Sequence, residues 1–373
     1  MSENKGVPFC QAAWTTVQYS GTYGGGGISP CCEWSGEKYT GSIKDYQNSN
    51  YLNSIKEAMN NHDMTVINKT CQECIKTESL NQLSARNYIQ RYVKNGRYKI
   101  DALNKLDYRP DNLCNLKCRM CSIYSSSLIE EEYVAHGMAT PIIQRPTDDV
   151  IDFDLSNLDC LAILGGEPTV NKRMFPILDY LIDNNMQETV TLNYTTNCTS
   201  VNRPWMSRVE KFKQVHVNLS IDAAGKAYEY IRTGANWKKV EQNIPKIINL
   251  TTDKEDYKIQ MVVQFHSFAI IEDWIEYFFQ FPPNTINMTP LQGKMHGSIN
   301  CIPDYIKAQK VDYLKKLNHP IAEQAIKYFE SSKYDSQEIK GYQQGNGFLD
   351  SIRSTNILDL DPIFEEILSY KAS

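Results

Sequence analysis

Three cysteines stand close together in Cys114-Asn-Leu-Lys-Cys118-Arg-Met-Cys121, a C-x3-C-x2-C spacing. Thiolates spaced this way can ligate three irons of a [4Fe–4S] cluster from one tight loop. The fourth iron then has no protein ligand and stays open. A zinc site normally takes four protein ligands, or three and a water, commonly with histidine. No histidine lies within ten residues of this loop. A catalytic thiol has no need of three cysteines. The spacing favours an iron–sulfur cluster over zinc or chance.

Two further sets carry chemistry. Leu164-Gly165-Gly166-Glu167-Pro168 offers glycines that let backbone approach a ligand, and a carboxylate that can take a charged amino group. Taken alone it reads as a tight strand-to-helix turn. The other set is Cys10, Cys31, Cys71 and Cys74, the last two as C-x2-C. From spacing alone, a tetrathiolate zinc site and an iron–sulfur site are equal readings. Packing of these cysteines without any metal is the weakest one.

The chain that must position these residues has 373 residues and a net charge of −5. Hydrophobic residues make up 41% and charged residues 22%, which excludes wholesale disorder. The acidic balance disfavours a nucleic-acid partner. No run of 18 apolar residues occurs, and residues 1–27 show no secretory signal. Eleven cysteines, an odd number, point to reduced thiols in a cytoplasmic protein. Eight of the eleven lie in the first third, which suggests metal ligation.

The chain reads as three parts. Residues 1–97 are a small cysteine-rich region with a loop or hairpin tip at Gly21–Gly27. Helices are expected at Ser42–Asn61, capped by Ser42, and at Leu80–Val93. Residues 98–300 alternate strands and helices. The strands are Leu103–Tyr108, Cys160–Leu164, Thr189–Tyr194, Val215–Ile221, Ile259–Phe265 and Thr285–Met288. The helices are Ser126–His136, Lys172–Asn184, Pro204–Lys211, Trp237–Leu250 and Glu272–Gln280. This alternation predicts a parallel α/β sheet with crossover helices, open or partly closed. Residues 301–373 form a helical extension, with helices at Pro303–Leu317, Ile321–Ser331 and Asp361–Tyr370 and a loop at Gly341–Phe348.

Together these residues resemble the radical SAM superfamily over roughly residues 100–300. The resemblance rests on C-x3-C-x2-C followed by Gly-Gly-Glu-Pro at the next strand end. It implies a partial (β/α)6 TIM-like barrel. It also implies that Cys114, Cys118 and Cys121 hold a [4Fe–4S] cluster. S-adenosylmethionine (SAM) would chelate the open iron through its amino and carboxylate groups. One electron from the cluster then splits SAM into methionine and a 5′-deoxyadenosyl radical, which abstracts hydrogen from a substrate.

The resemblance extends to single positions. Met120 stands where the family usually has a bulky or aromatic residue whose backbone touches the adenine. Gly165, Gly166 and Glu167 inherit the turn that binds the SAM amino group. Tyr194-Thr-Thr-Asn197-Cys198 is similar to the family's Thr-Asn-Gly, with Cys198 in place of the glycine. Asn218-Leu-Ser220-Ile-Asp222 is similar to a Ser-x-Asp pattern. Ser220 would face the SAM ribose or carboxylate, and Asp222 the pocket. Arg232 resembles an arginine that pairs with the SAM carboxylate. The family's fifth-strand Gly-x-Ile-x-Gly-x-x-Glu is not present, and Val262–His266 occupies its place.

The N-terminal cysteines, as C-x15-G-x4-C through Gly26 and then C-x2-C, resemble the SPASM/twitch extension of radical SAM enzymes. Ile75–Gly96 holds no cysteine, so the shorter twitch form is implied, with one auxiliary [4Fe–4S] cluster. Its four ligands would be Cys10, Cys31, Cys71 and Cys74, with zinc as the alternative metal. Cys32 is a substitute for Cys31 that the spacing disfavours. In the family this extension usually follows the barrel, whereas here it precedes it.

The function implied is a net oxidation or other modification of a small molecule, peptide or protein, with the auxiliary cluster as electron acceptor. A one-electron reductant such as flavodoxin or ferredoxin would supply the SAM cluster. No winged-helix leader-peptide domain is visible near either end, which favours a small molecule or a directly bound protein. The rivals are a non-catalytic iron–sulfur or zinc scaffold, a peptide- or protein-modifying maturase, and a nucleic-acid-modifying enzyme. Cys160, Cys198 and Cys301 read as buried thiols. His266 reads as a structural residue rather than a base at the barrel mouth. No catalytic acid or base is nominated.

Overall fold

The structure, a computed structural model, describes residues 7–21, 26–79, 82–142, 150–253, 256–291 and 297–371. The chain divides into two compact units. One takes Met1–Cys114, Ile123–Tyr194 and Asn202–His216. The other takes Asn115–Ser122, Thr195–Val201 and Val217–Ser373.

In the first unit, strands β1 (Thr16–Ser20) and β2 (Gly27–Ser29) form an antiparallel hairpin with Tyr19 opposite Ile28. Residues 22–25 of its expected tip lie outside the described residues. Strand β3 (Lys105–Arg109) lies parallel to β1, with Gln18 opposite Asp107. The two-residue β4 (Lys117–Cys118) belongs to the second unit. Strands β5 (Cys160–Ile163) and β6 (Thr191–Thr196) continue the parallel sheet, with Leu106 opposite Leu161 and Leu161 opposite Leu192. Alternation sorts the side chains. Leu106, Leu161, Ile163 and Leu192 are fully buried on one face, where Ile177, Leu178 and Leu181 of helix Phe175–Asp183 are also buried. Lys105, Asp107 and Arg109 take the opposite, polar face.

In the second unit, β7 (Gln214–Ser220) from Val217 onward pairs in parallel with a later strand. The short β8 (Arg232–Thr233) pairs antiparallel with β4, setting Cys118 opposite Arg232. The parallel partner of β7 is β9 (Tyr257–Val263), and β10 (Ile286–Pro290) follows on β9. The six strands expected from the sequence correspond to β3, β5, β6, β7, β9 and β10, within two residues at each end. No helix among the described residues is long and apolar enough to cross a membrane.

Several elements differ from expectation. β1 and β2 were not expected, and β1 extends the sheet beyond β3. Gln18 and Ser20 of β1 are buried, so a polar strand lies where composition suggests loop. Ser42–Asn61 is two helices, because Ser49 caps a second one at Asn50–Asn60 by accepting the Leu52 N–H. Helices Met64–Thr70 and Gln72–Ser79 are additional. The next helix starts at Ala85 rather than Leu80, behind a Ser84–Asn87 capping box, and residues 80–81 lie outside the described residues. Glu272–Gln280 is two 3₁₀ segments.

The largest correction concerns Gly341–Phe348, which is not a loop but lies inside the helix Ser336–Arg353. Three interior glycines cost a helix about 1 kcal/mol each. Asp335 offsets part of this by capping the Gln337 and Glu338 N–H groups. Burial of Ile339, Tyr342, Asn346 and Leu349 along one face does the rest.

Candidate functional site

The N-terminal cysteines gather within the first unit. Cys31 follows β2, and the Ser29 hydroxyl donates to its carbonyl at 3.2 Å. Cys71 ends the helix Met64–Thr70, and Cys74 lies on the helix Gln72–Ser79. The residue before Cys10 is pinned by the helix Ala85–Lys94. Gln90 donates to the Phe9 carbonyl at 2.9 Å, and the Arg86 guanidinium lies 4.2 Å from the Phe9 ring centre. Arg86 is itself held by Glu78. Cys10, Cys31, Cys71 and Cys74 line one small cavity together with Glu33, Thr70 and Arg86. Cys32 does not line it; its thiol turns toward the Glu33 carboxylate.

Burial pushes the Cys10 thiol up to about 12, an effect that Cys71 and Cys74 add to. Burial also raises Cys31, Cys71 and Cys74. A coordinating cation reverses this, because a ligating thiol is deprotonated outright. Among the described residues no three His, Cys, Asp or Glu side chains are already drawn to metal-binding range. The four thiols line a common cavity rather than converge on a point. An all-sulfur donor set in one enclosed cavity fits zinc or an iron–sulfur cluster.

The glycine turn packs against the entry to the C-x3-C-x2-C loop, also within the first unit. The Glu167 N–H donates to the Leu113 carbonyl at 2.8 Å. Gly165 and Gly166 have φ of +85° and +56°. A Cβ on Gly166 would sit 2.0 Å from the Leu113 carbonyl oxygen, so only glycine fits. Glu167 is buried, and its Oε1 accepts from the Thr169 N–H and hydroxyl. The Cys114 N–H donates to the Ser127 hydroxyl at 3.4 Å.

Cys118 and Cys121 belong to the second unit, where the rest of the loop is held. The Cys121 N–H donates to the Cys118 carbonyl, closing a turn over Arg119 and Met120. Asn197 donates to Asn115 at 3.0 Å, and Asn115 donates to Thr199 at 2.8 Å. Cys198 is buried with φ of +62°, in the left-handed region that favours glycine. Asp222 is fully buried. Its Oδ1 accepts from the Val262 N–H at 2.9 Å, and its Oδ2 accepts from Arg232 Nε at 2.8 Å. Arg232 Nη1 lies 3.7 Å from the Cys118 sulfur. Burial raises the Cys118 pKa, and the Arg232 charge opposes that rise. Burial likewise raises Cys121 to about 12, with Cys118 adding to it. Ser220 is half-buried at the end of β7.

Sequence reasoning missed Arg119. Its side chain is 1% exposed. Nε donates to the Tyr230 carbonyl, Nη1 to Asn346, and Nη2 to Asp350 and Thr355. The guanidinium also stacks 3.7 Å over the Tyr230 ring. Arg353 donates to the Lys117 carbonyl at 2.9 Å. The helix Ser336–Arg353 therefore grips the cysteine loop on both sides of Cys118. The one available signal was an arginine inside a cysteine motif. His266 is buried and contacts Asn346 at 3.3 Å, while Cys301 is buried and Cys160 is half-buried.

The profile of the Radical SAM superfamily matches residues 108–278. No curated protein matches the chain. Among solved structures, native anSMEcpe with bound AdoMet is 19% identical with a TM-score of 0.40, and the match covers 57% of this chain and 58% of that one. Streptococcus suis SuiB bound to S-adenosylmethionine is 15% identical with a TM-score of 0.39, covering 74% of this chain and 63% of that one. SuiB bound to the precursor peptide SuiA is 16% identical with a TM-score of 0.38, covering 74% and 62%. The chain thus spans under two thirds of the length of these proteins.

Proposed function

We propose that the chain is a radical SAM enzyme with a second metal site at its N-terminal cysteines. The observation that carries this reading is the superfamily match over residues 108–278, which spans the whole C-x3-C-x2-C loop. Cys114, Cys118 and Cys121 would hold a [4Fe–4S] cluster, which would supply one-electron reductive chemistry toward S-adenosylmethionine. Gly165, Gly166 and Glu167 receive the SAM amino group. Met120, Asn197 and Ser220 line the SAM site. Arg232, fixed by Asp222, places its positive charge against the Cys118 sulfur and so favours the thiolate. That charge also suits the SAM carboxylate.

Residues 1–97 contribute the auxiliary site of Cys10, Cys31, Cys71 and Cys74, residues 98–300 the barrel-type core, and residues 301–373 a helical brace. Support for the auxiliary site comes from the single cavity the four thiols line. An iron–sulfur cluster held by these four thiols would supply an electron acceptor, as a net oxidation requires. The substrate is a small molecule or a peptide, and flavodoxin or ferredoxin is the reductant.

Anaerobic reconstitution followed by dithionite and SAM tests the reading. About eight irons per chain and release of 5′-deoxyadenosine are expected. About four irons with tightly held zinc would turn the N-terminal site into a structural one. No 5′-deoxyadenosine under any condition would leave a non-catalytic metal scaffold.

A further inference from the structure

A second cavity, of about 360 Å³, lies in the first unit between β1, β3 and the helix Ala85–Lys94. Its size is that of small-molecule sites. Val17, Ile89, Tyr88, Tyr92 and Tyr98 form its walls, with the Tyr92 and Tyr98 rings 5.1 Å apart. Tyr88 is exposed at 44%, whereas Tyr98 is buried. Lys105 and Asp107 from β3 supply its charged lining.

The two charged side chains of the lining differ in their contacts. Arg109 takes both oxygens of Asp107, with Nε at 2.8 Å and Nη2 at 3.2 Å. Lys105 is half-buried, and among the described residues its ammonium makes no hydrogen bond or ion pair. Asp107 attracts the Lys105 ammonium without touching it, and a carboxylate in the cavity would give that ammonium a direct partner.

We propose that this cavity binds a carboxylate with an aromatic or apolar body, the carboxylate on Lys105 and the body among the tyrosines. Tyrosine faces suit such a body, and an ammonium suits a carboxylate. Cys31 lines this cavity as well as the four-cysteine one. The ligand would therefore lie beside the auxiliary site. Naming it the substrate rests on the radical SAM reading, whereas its binding does not.

Isothermal titration of the full chain, with and without reconstituted metal, tests this. The probes are 3-phenylpropanoate and its neutral amide, then N-acetyl-Gly-Gly-Phe with a free or amidated C-terminus. Both metal states should bind 3-phenylpropanoate, and the amide should bind at least tenfold more weakly. Lys105→Met should lose at least tenfold, Tyr92→Ala severalfold, and Lys105→Arg under threefold, which separates lost charge from lost fold. Binding of the free-acid tripeptide makes the ligand a peptide terminus; binding of the small acid alone makes it a free acid. Equal affinity for acid and amide, or an unchanged Lys105→Met, overturns the proposal. So does binding confined to metal-free protein, because the bound metal's anionic sulfur ligands would then be what Lys105 serves. The titration involves no turnover. Its failure beside normal 5′-deoxyadenosine release removes the pocket alone, and the reverse result removes the radical reading alone.

Discussion

Buried charge is handled differently by neighbouring residues. Arg232 meets Asp222 at 2.8 Å and stays charged. His266, by contrast, has no anion beside it. Burial first, then the Arg119 charge, lowers its pKa from 6.5 to about 3, against a weaker opposing bond to Asn346. Its ring is neutral in the folded chain, and its Nδ1 has no partner. The unfolded chain binds a proton at this histidine below about pH 6.5 and the folded chain does not, so acid favours unfolding. From pH 7 to pH 5 this one group should remove about 2 kcal/mol of stability. Urea denaturation of wild type and His266→Asn at both pH values checks it, and parallel losses in the two proteins would reject it. Chemistry dictates spacing at Cys114, Cys118, Cys121 and Gly165–Glu167, so these candidates can be nominated from sequence alone. Arg119 and Lys105 were not legible, because their surroundings are set by residues far away in the chain.

Elements set how firmly the cysteine loop is held. The loop around Cys118 forms two residues of strand, too short to be stable alone. Its firmness comes from the helix Ser336–Arg353, through Asn346 and Asp350 on Arg119 and through Arg353 on Lys117. Removing one partner of a buried ion pair leaves the other charge uncompensated and costs roughly 3–5 kcal/mol. Arg119→Ala should therefore lower stability by about 3 kcal/mol and speed amide exchange in residues 115–122, while the helix Phe175–Asp183 is unchanged. Denaturation together with hydrogen exchange checks this. Unchanged exchange in the loop would show that the helix braces nothing. The same helix shows why the fold was only partly legible. Strands of the parallel sheet carry runs such as Leu161–Ile163 that need no partner to be recognised. The glycines at 341, 345 and 347 signal a loop until the buried face of Tyr342, Asn346 and Leu349 is seen. β1 was hidden for a related reason, since its parallel partner β3 lies far along the chain.

At the scale of the whole molecule, the proposed metal sites would tie folding to metal. All eleven are free of disulfides, and burial raises the pKa of each N-terminal candidate ligand. Those protons must leave when metal binds, so affinity should rise with pH, and the binding free energy adds to folding stability. The helices carrying these ligands are short. Met64–Thr70 has seven residues and Gln72–Ser79 has eight, both below the length at which isolated helices are stable. They depend on tertiary packing, to which a metal held by Cys71 and Cys74 would add. Metal loading should slow amide exchange in Met64–Thr70 and Gln72–Ser79 by at least tenfold, and more at pH 8 than at pH 6. In the double variant Cys71→Ala/Cys74→Ala that protection should vanish, while metal loading still protects residues 115–122. Hydrogen exchange resolved by mass spectrometry on loaded and chelated protein reads both regions in one experiment. Equal protection of the two helices in wild type and variant would mean that Cys71 and Cys74 hold no metal. Loss of protection in both regions would mean that the variant has lost its fold, and Cys71→Ser alone would then supply the local test.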